Sequence, residues 1–115
     1  MIKSILSDLL NIEGVNVAAI VGRDGFVIES TKLGRIDIDA LGAVTSVGIR
    51  YCETISNELK KGGVRQVVLD LHKGTIILVP ISSDVFIAVL ADPKVNTKRI
   101  TFESEKTRGR LIAAM

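Results

Sequence analysis

The sequence predicts an α/β sandwich: a five-stranded antiparallel sheet with helices on both faces, in the order α-β-β-α-β-β-β-α. Three observations carry this. Five strand-like apolar runs fall into a pair and a triplet, each joined internally by only a few residues, and such short connections make antiparallel neighbours. One long amphipathic segment separates the pair from the triplet, and shorter helical patterns open and close the chain. Finally, two runs, TIILVPI and VFIAVLA, are apolar at nearly every position, which requires cover on both faces. A chain of 115 residues is one domain, spanning 1–115, and is large enough to hold a real core.

The elements follow in order. Ile2, Ile5, Leu6, Leu9 and Leu10 keep a helical spacing that stops near Gly14. Two strands, Val15–Val21 and Phe26–Thr31, flank Gly22-Arg23-Asp24-Gly25, and an Asp-Gly pair between apolar runs marks a hairpin. The long helix is read over Ile36–Gly63. Asp37 or Asp39 can cap its start, and Gly62-Gly63 end it. Strands then run over Val64–Leu71, Thr75–Ile81 and Val85–Ala91. Arg65, Gln66 and Asp70 break the first of these, which fits a sheet edge, and Pro80 belongs at a strand end or a bulge. Asn96 or Thr97 caps a last helix through Ala114, in a weaker pattern of Ile100, Leu111, Ile112 and Met115.

The long helix carries the most information. Ile38, Leu41, Val44, Gly48, Ile49, Tyr51, Cys52, Ile55 and Leu59 fill a sector roughly 160° wide, where a helix resting on one sheet needs about 100°. Asp39, Ser46, Arg50, Glu53 and Asn57 are expected opposite. Gly42, Ala43, Ser46 and Gly48 are small enough for a second backbone to approach. Two buried contacts are expected, one with the chain's own sheet and one with a second copy of the helix. The composition agrees: 47% hydrophobic with only 3% aromatic is much aliphatic surface for so small a chain.

Several function classes fall away. A net charge of +2 lacks the concentrated basic face, with stacking aromatics, of a nucleic-acid binder. The N-terminus is not a signal peptide and no run approaches ~20 apolar residues, so a soluble cytoplasmic protein without membrane insertion is expected. One cysteine, Cys52, allows no internal disulfide and reads as a packed thiol. His72 is the only histidine and stands beside a turn, too isolated for a metal site. The Gly22–Gly25 turn lacks the pattern of a phosphate loop. Arg23, Arg35, Arg50, Arg65 and Arg99 read as surface charge by default, although an arginine supplied in trans can serve a GTPase. The basic stretch Lys94–Arg110 also holds Glu103 and Glu105 and reads as a solvated helix face. No catalytic constellation, metal or cofactor is expected.

Over essentially its whole length the chain resembles the roadblock/LC7 family. The pieces are EGVNVAAIVGRDGFVIES, the long helix with small residues, and the meander VVLDLHKGTIILVPISSDVFIAVLAD. The resemblance is closest to short prokaryotic members that accompany small Ras-like GTPases. It implies a profilin-like fold and a homodimer or paralogue heterodimer, with long helices packed antiparallel and the following edge strand paired with its twin. It implies no enzymatic activity of its own, but a regulator or scaffold for a small Ras-like GTPase. Some bacterial members stimulate GTP hydrolysis by positioning the GTPase's own residues. A dynein-light-chain-like structural adaptor and a small-ligand sensor are the alternatives. On this reading Leu41, Val44, Gly48, Cys52 and Ile55 are candidates for the dimer contact, with Val67 and Leu69 in the pairing strand. Ala43, Val47, Arg50 and Thr54, on the helix's outer side, are candidates for the partner.

Overall fold

A hairpin begins the sheet, and a three-stranded meander completes it. The computed structural model describes residues 2–115, with α1 (Ile2–Leu10), β1 (Val15–Gly22), β2 (Val27–Lys32), α2 (Ile38–Glu58), β3 (Val67–Leu71), β4 (Gly74–Pro80), β5 (Val85–Ala91) and α3 (Thr97–Ala114). The strand order is β2-β1-β5-β4-β3, all neighbours antiparallel. The expected order of elements is therefore observed. The central strands β1, β4 and β5 are buried almost throughout, and β2 and β3 are the edges.

Two cores result, one per face. Ile5, Leu6 and Leu9 of α1 and Ile100 and Leu111 of α3 pack with Ile20, Ile77, Val79, Ile87 and Val89. On the other face Leu41 and Ile49 of α2 pack with Val17, Ala19, Val21, Leu78 and Phe86. The alternation along each strand sends neighbours to opposite cores. The α2 backbone comes nearest to β1 and β2, while at the β3 side of that face Leu69 and Leu71 stay exposed.

Strands β1, β2 and β4 differ from expectation by one residue at one or both ends, and three boundaries differ by two residues or more, each for a local reason. Asp37 is the N-cap, its carboxylate accepting from the Ala40 N–H at 3.0 Å, so α2 starts at Ile38 and not at Ile36. At the far end Lys60, two residues before Gly62, is the first to take the left-handed conformation, with φ 55°. Its N–H donates to Asn57 and that of Lys61 to Ser56, each at 3.2 Å. This pair of bonds is a Schellman motif, and it ends the helix before Gly62 is reached. Similarly, β3 starts at Val67 and not at Val64. Continuing its ladder would set Arg65 opposite Pro80, which has no N–H to give.

The rotation of α2 about its axis is a larger correction. Ser46 and Glu53, expected outward, turn towards the β1–β2 turn, and Ser46 is buried. The reason is Gly42. A Cβ there would lie 2.7 Å from the Gly25 carbonyl oxygen and 2.8 Å from Val27 Cγ2. The turn can dock only where the helix is bare, and Gly25 itself holds φ +92° to make that approach. The Ser46 hydroxyl is satisfied within the helix, donating to the Ala43 carbonyl at 2.8 Å.

The edges are treated differently. Leu33 N–H donates to Asn16 of β1 at 2.8 Å, so Ser30 and Lys32 turn their backbone groups outward from β2. The Ser30 N–H is taken by the Glu29 carboxylate at 3.3 Å. On the opposite edge, β3 carries Val68, Leu69 and Leu71 exposed.

Two predictions follow from these seats. Gly42→Ala gains about 1 kcal/mol of helix propensity, yet overlap with backbone outweighs it. The urea midpoint is expected to fall, by about 1–2 kcal/mol of stability. Lys60→Gly relieves a left-handed residue and is expected to raise stability by about 1 kcal/mol, read as a higher thermal midpoint.

Candidate functional site

The candidate site is the uncovered side of α2 and what stands beside it. Rotation about Gly42 turns a second apolar stripe to solvent. Val44 is 64% exposed, Tyr51 68% and Ile55 59%, with Leu59 beside them. At about 100° per residue these positions cover roughly 80° of the helix surface. Gly48 lies within the stripe, and a Cβ added there meets nothing within 4 Å. The β3 edge has Leu69 and Leu71 exposed on the same face of the sheet. Half a dozen large apolar side chains are thus exposed on this one side of the molecule, more than the singly scattered apolar residues of an ordinary surface.

Most of the residues singled out in the sequence fall here. Val44, Gly48, Ile55 and Leu69 belong to the stripe and its neighbouring edge. Cys52 is half-buried at its margin. Leu41 does not join them: it is 7% exposed and packs in the core beneath α2. Val67 is half-buried and packs against that same core. These two support the patch from below.

The second group lines a groove. Ala43, Val47 and Arg50 face Arg23, Asp24, Gly25 and Phe26 of the β1–β2 turn across a cleft of about 570 Å³, with Asp39 at one end. Thr54 lies one turn further along, its hydroxyl donating to the Arg50 carbonyl at 3.0 Å, and takes no part in lining the cleft. Phe26 was not singled out in the sequence. It is 75% exposed, the most exposed large apolar side chain of the described residues. Its position directly after Asp24-Gly25 was the available signal, because a residue between a docked turn and its strand stands at the lip of whatever the turn docks against.

Arg23 holds this lip in place. Its guanidinium pairs with Glu53 of α2, donates to the Ser82 carbonyl at 2.9 Å and lies 5.7 Å from the centre of the Phe86 ring. Its backbone N–H donates to Asp84 at 2.9 Å. One side chain thereby ties the β1–β2 turn to α2, to the β4–β5 turn and to the core. Such an arginine is committed to the fold rather than free for a partner. Arg50 is the exposed cation of the groove.

Among the described residues no three His, Cys, Asp or Glu side chains gather as a metal would need. His72 stands exposed in the β3–β4 turn. What the geometry offers is a contact surface: an apolar stripe with a strand edge, and beside it a groove with an aromatic lip.

Comparison with known proteins agrees with this architecture. The sequence model of the Roadblock/LC7 domain matches residues 1–91. An uncharacterised protein of Methanocaldococcus jannaschii is 29% identical over 113 residues, covering 98% of this chain and 95% of that one. The crystal structure of a Roadblock/LC7 domain from Streptomyces avermitilis superposes with a TM-score of 0.89 at 20% identity, over 97% of this chain and 95% of that one. MglB of Myxococcus xanthus superposes with a TM-score of 0.87 at 14% identity, over 99% and 96%. Strand order, the long helix between hairpin and meander, and a family match over four-fifths of the sequence converge: the chain belongs to the Roadblock/LC7 domain family.

Proposed function

We propose that the protein is a homodimeric platform that binds a small Ras-like GTPase in the cytoplasm and serves as its regulator or scaffold, without an enzymatic reaction of its own. The observation that carries this reading is the apolar stripe of α2 lying next to an unpaired, apolar β3 edge. A monomer would leave both in water. Two copies placed with their α2 helices antiparallel cover both at once, because the stripe of one reaches the exposed β3 side of the other. Pairing of the two β3 edges adds backbone hydrogen bonds to the apolar burial. Val44, Gly48, Cys52, Ile55 and Leu69 then meet the twin directly, while Leu41 and Val67 support them from the core.

The outer sides of the paired helices form the platform. Ala43, Val47, Arg50 and Thr54 provide a mildly apolar floor with one cation, and Phe26 adds an aromatic anchor of the type that dominates protein contacts. Membership in the Roadblock/LC7 family, and the likeness to MglB, support a regulator or adaptor over a catalyst.

Two variants separate the layers of this reading. Gly48→Arg fits the monomer, since nothing stands within 4 Å, but sets an unpaired charge in the twin contact at a cost of several kcal/mol. Sedimentation is expected to give a folded 12.4 kDa species in place of one of twice that mass. A variant that keeps the dimer mass would remove Gly48 from the contact. Val47→Arg is expected to keep the dimer and to abolish binding of a GTP-loaded small Ras-like GTPase in titration calorimetry. Unchanged affinity would move the partner elsewhere on the surface.

A further inference from the structure

The face of the sheet away from α2 has its own character, and the charge distribution reveals it. Residues 94–115 hold six basic side chains against two acidic ones, a net +4, in a chain whose total is +2. The other 93 residues are therefore net negative, by two charges. The asymmetry is also sided. Helix α3 buries Ile100, Ser104, Thr107 and Leu111 against the sheet and α1. On the opposite side Lys98, Phe102, Lys106, Gly109 and Ala113 follow one another at helical spacing, and all are exposed.

Phe102 is the centre of this strip. It is 62% exposed, and the Lys106 ammonium lies 5.6 Å from the centre of its ring, with Lys98 one turn earlier. Glu103 is half-buried on the far flank. Glu105 is exposed on the β3 side and shares a shallow hollow with Lys98, Phe102 and Val68, so one acid borders the strip on that side, and the strip's other side, with Lys106 and Arg99, is purely basic. Arg110 is already used, paired with Asp8 of α1, and burial of Ile100 and Leu111 sets α3 with its strip outward. Lys94, Arg99 and Arg108 are exposed around the strip, and Ile112 and Met115 add exposed apolar groups at its end.

We infer that this face of α3 binds the surface of an anionic lipid bilayer. The cations are spread along a helix of 18 residues, about 27 Å long. That matches a diffuse sheet of negative headgroups better than one cluster of carboxylates. An exposed phenyl ring flanked by lysines suits the boundary between headgroups and chains, where the ring is buried and the ammonium groups stay in water. No described helix is long and apolar enough to cross a membrane, so the contact is superficial. The surface lies within one copy and does not depend on the twinned platform. Bound this way, the protein presents α2, on its other face, away from the bilayer.

The test is flotation with phosphatidylcholine vesicles, with and without phosphatidylglycerol, at low and high salt. Binding is expected only with phosphatidylglycerol, and it weakens as salt screens the charges. Lys98→Gln with Lys106→Gln is expected to weaken it about 25-fold, at about five-fold per basic residue. Phe102→Ser should remove the part of the binding that survives high salt. All three positions are exposed, so unchanged circular-dichroism melting shows that the variants fold. Absence of binding to phosphatidylglycerol vesicles at low salt would overturn the inference. So would equal binding to phosphatidylcholine alone, or binding unaffected by the lysine changes. Capture of soluble polyglutamate without capture of vesicles would assign the face to an acidic protein and overturn it equally.

Discussion

The close approach between Gly42 of α2 and the Gly25 carbonyl is the constraint on which the candidate surface depends. A helix carrying apolar residues over nearly half its circumference could settle on a sheet in several rotations at similar energy. Steric fit chooses one of them, because only the position without a Cβ accepts the β1–β2 turn. That choice buries Leu41, Thr45, Ser46 and Ile49. By the same rotation it exposes Val44, Tyr51 and Ile55. The turn is held from its other side by Arg23, whose pairing with Glu53 and hydrogen bond to Ser82 stop it from lifting away. The stripe, the groove and the aromatic lip are three results of one docking event between a glycine and a turn.

How far this was legible in the sequence depends on the range of the forces involved. Local chemistry read well. Asp24-Gly25 gave a hairpin, Asp37 and Asn96 are N-caps, and Pro80 ends a strand. Each of these depends on dihedral preferences or on bonds between near neighbours. The two-sided burial of β4 and β5 also read well, since an unbroken apolar run allows no other placement. What did not read was rotation. A polarity wheel set Ser46 and Glu53 towards solvent, but a hydroxyl can satisfy itself on its own helix, and a carboxylate can meet an arginine thirty positions away. The end of α2 escaped for a related reason. Glycine is the common left-handed residue, and nothing in Lys60 announces that it takes that role. Phe26 was overlooked because its partners across the groove come from a separate element.

The two faces of the sheet divide the labour. Against α2 the core is built from β1, β4 and β5 together with one helix, and Leu69 and Leu71 at the β3 side stay exposed. Against α1 and α3 it is covered more fully, and the outer side of α3 is cationic. Apolar contact surface and charge are thus separated by the thickness of a sheet and its helices, so a partner on one face need not compete with anything bound on the other.

The Glu29 carboxylate that occupies the Ser30 N–H has a consequence for how large an assembly this sheet can join. Of the two outward donors on this edge, that of Ser30 is already taken, which makes it a poorer template for another strand than the β3 edge. Growth of the sheet is thus favoured at one end over the other, and a ribbon that adds mainly at one end stops readily at a pair. The asymmetry disfavours continued stacking of a chain rich in aliphatic strands.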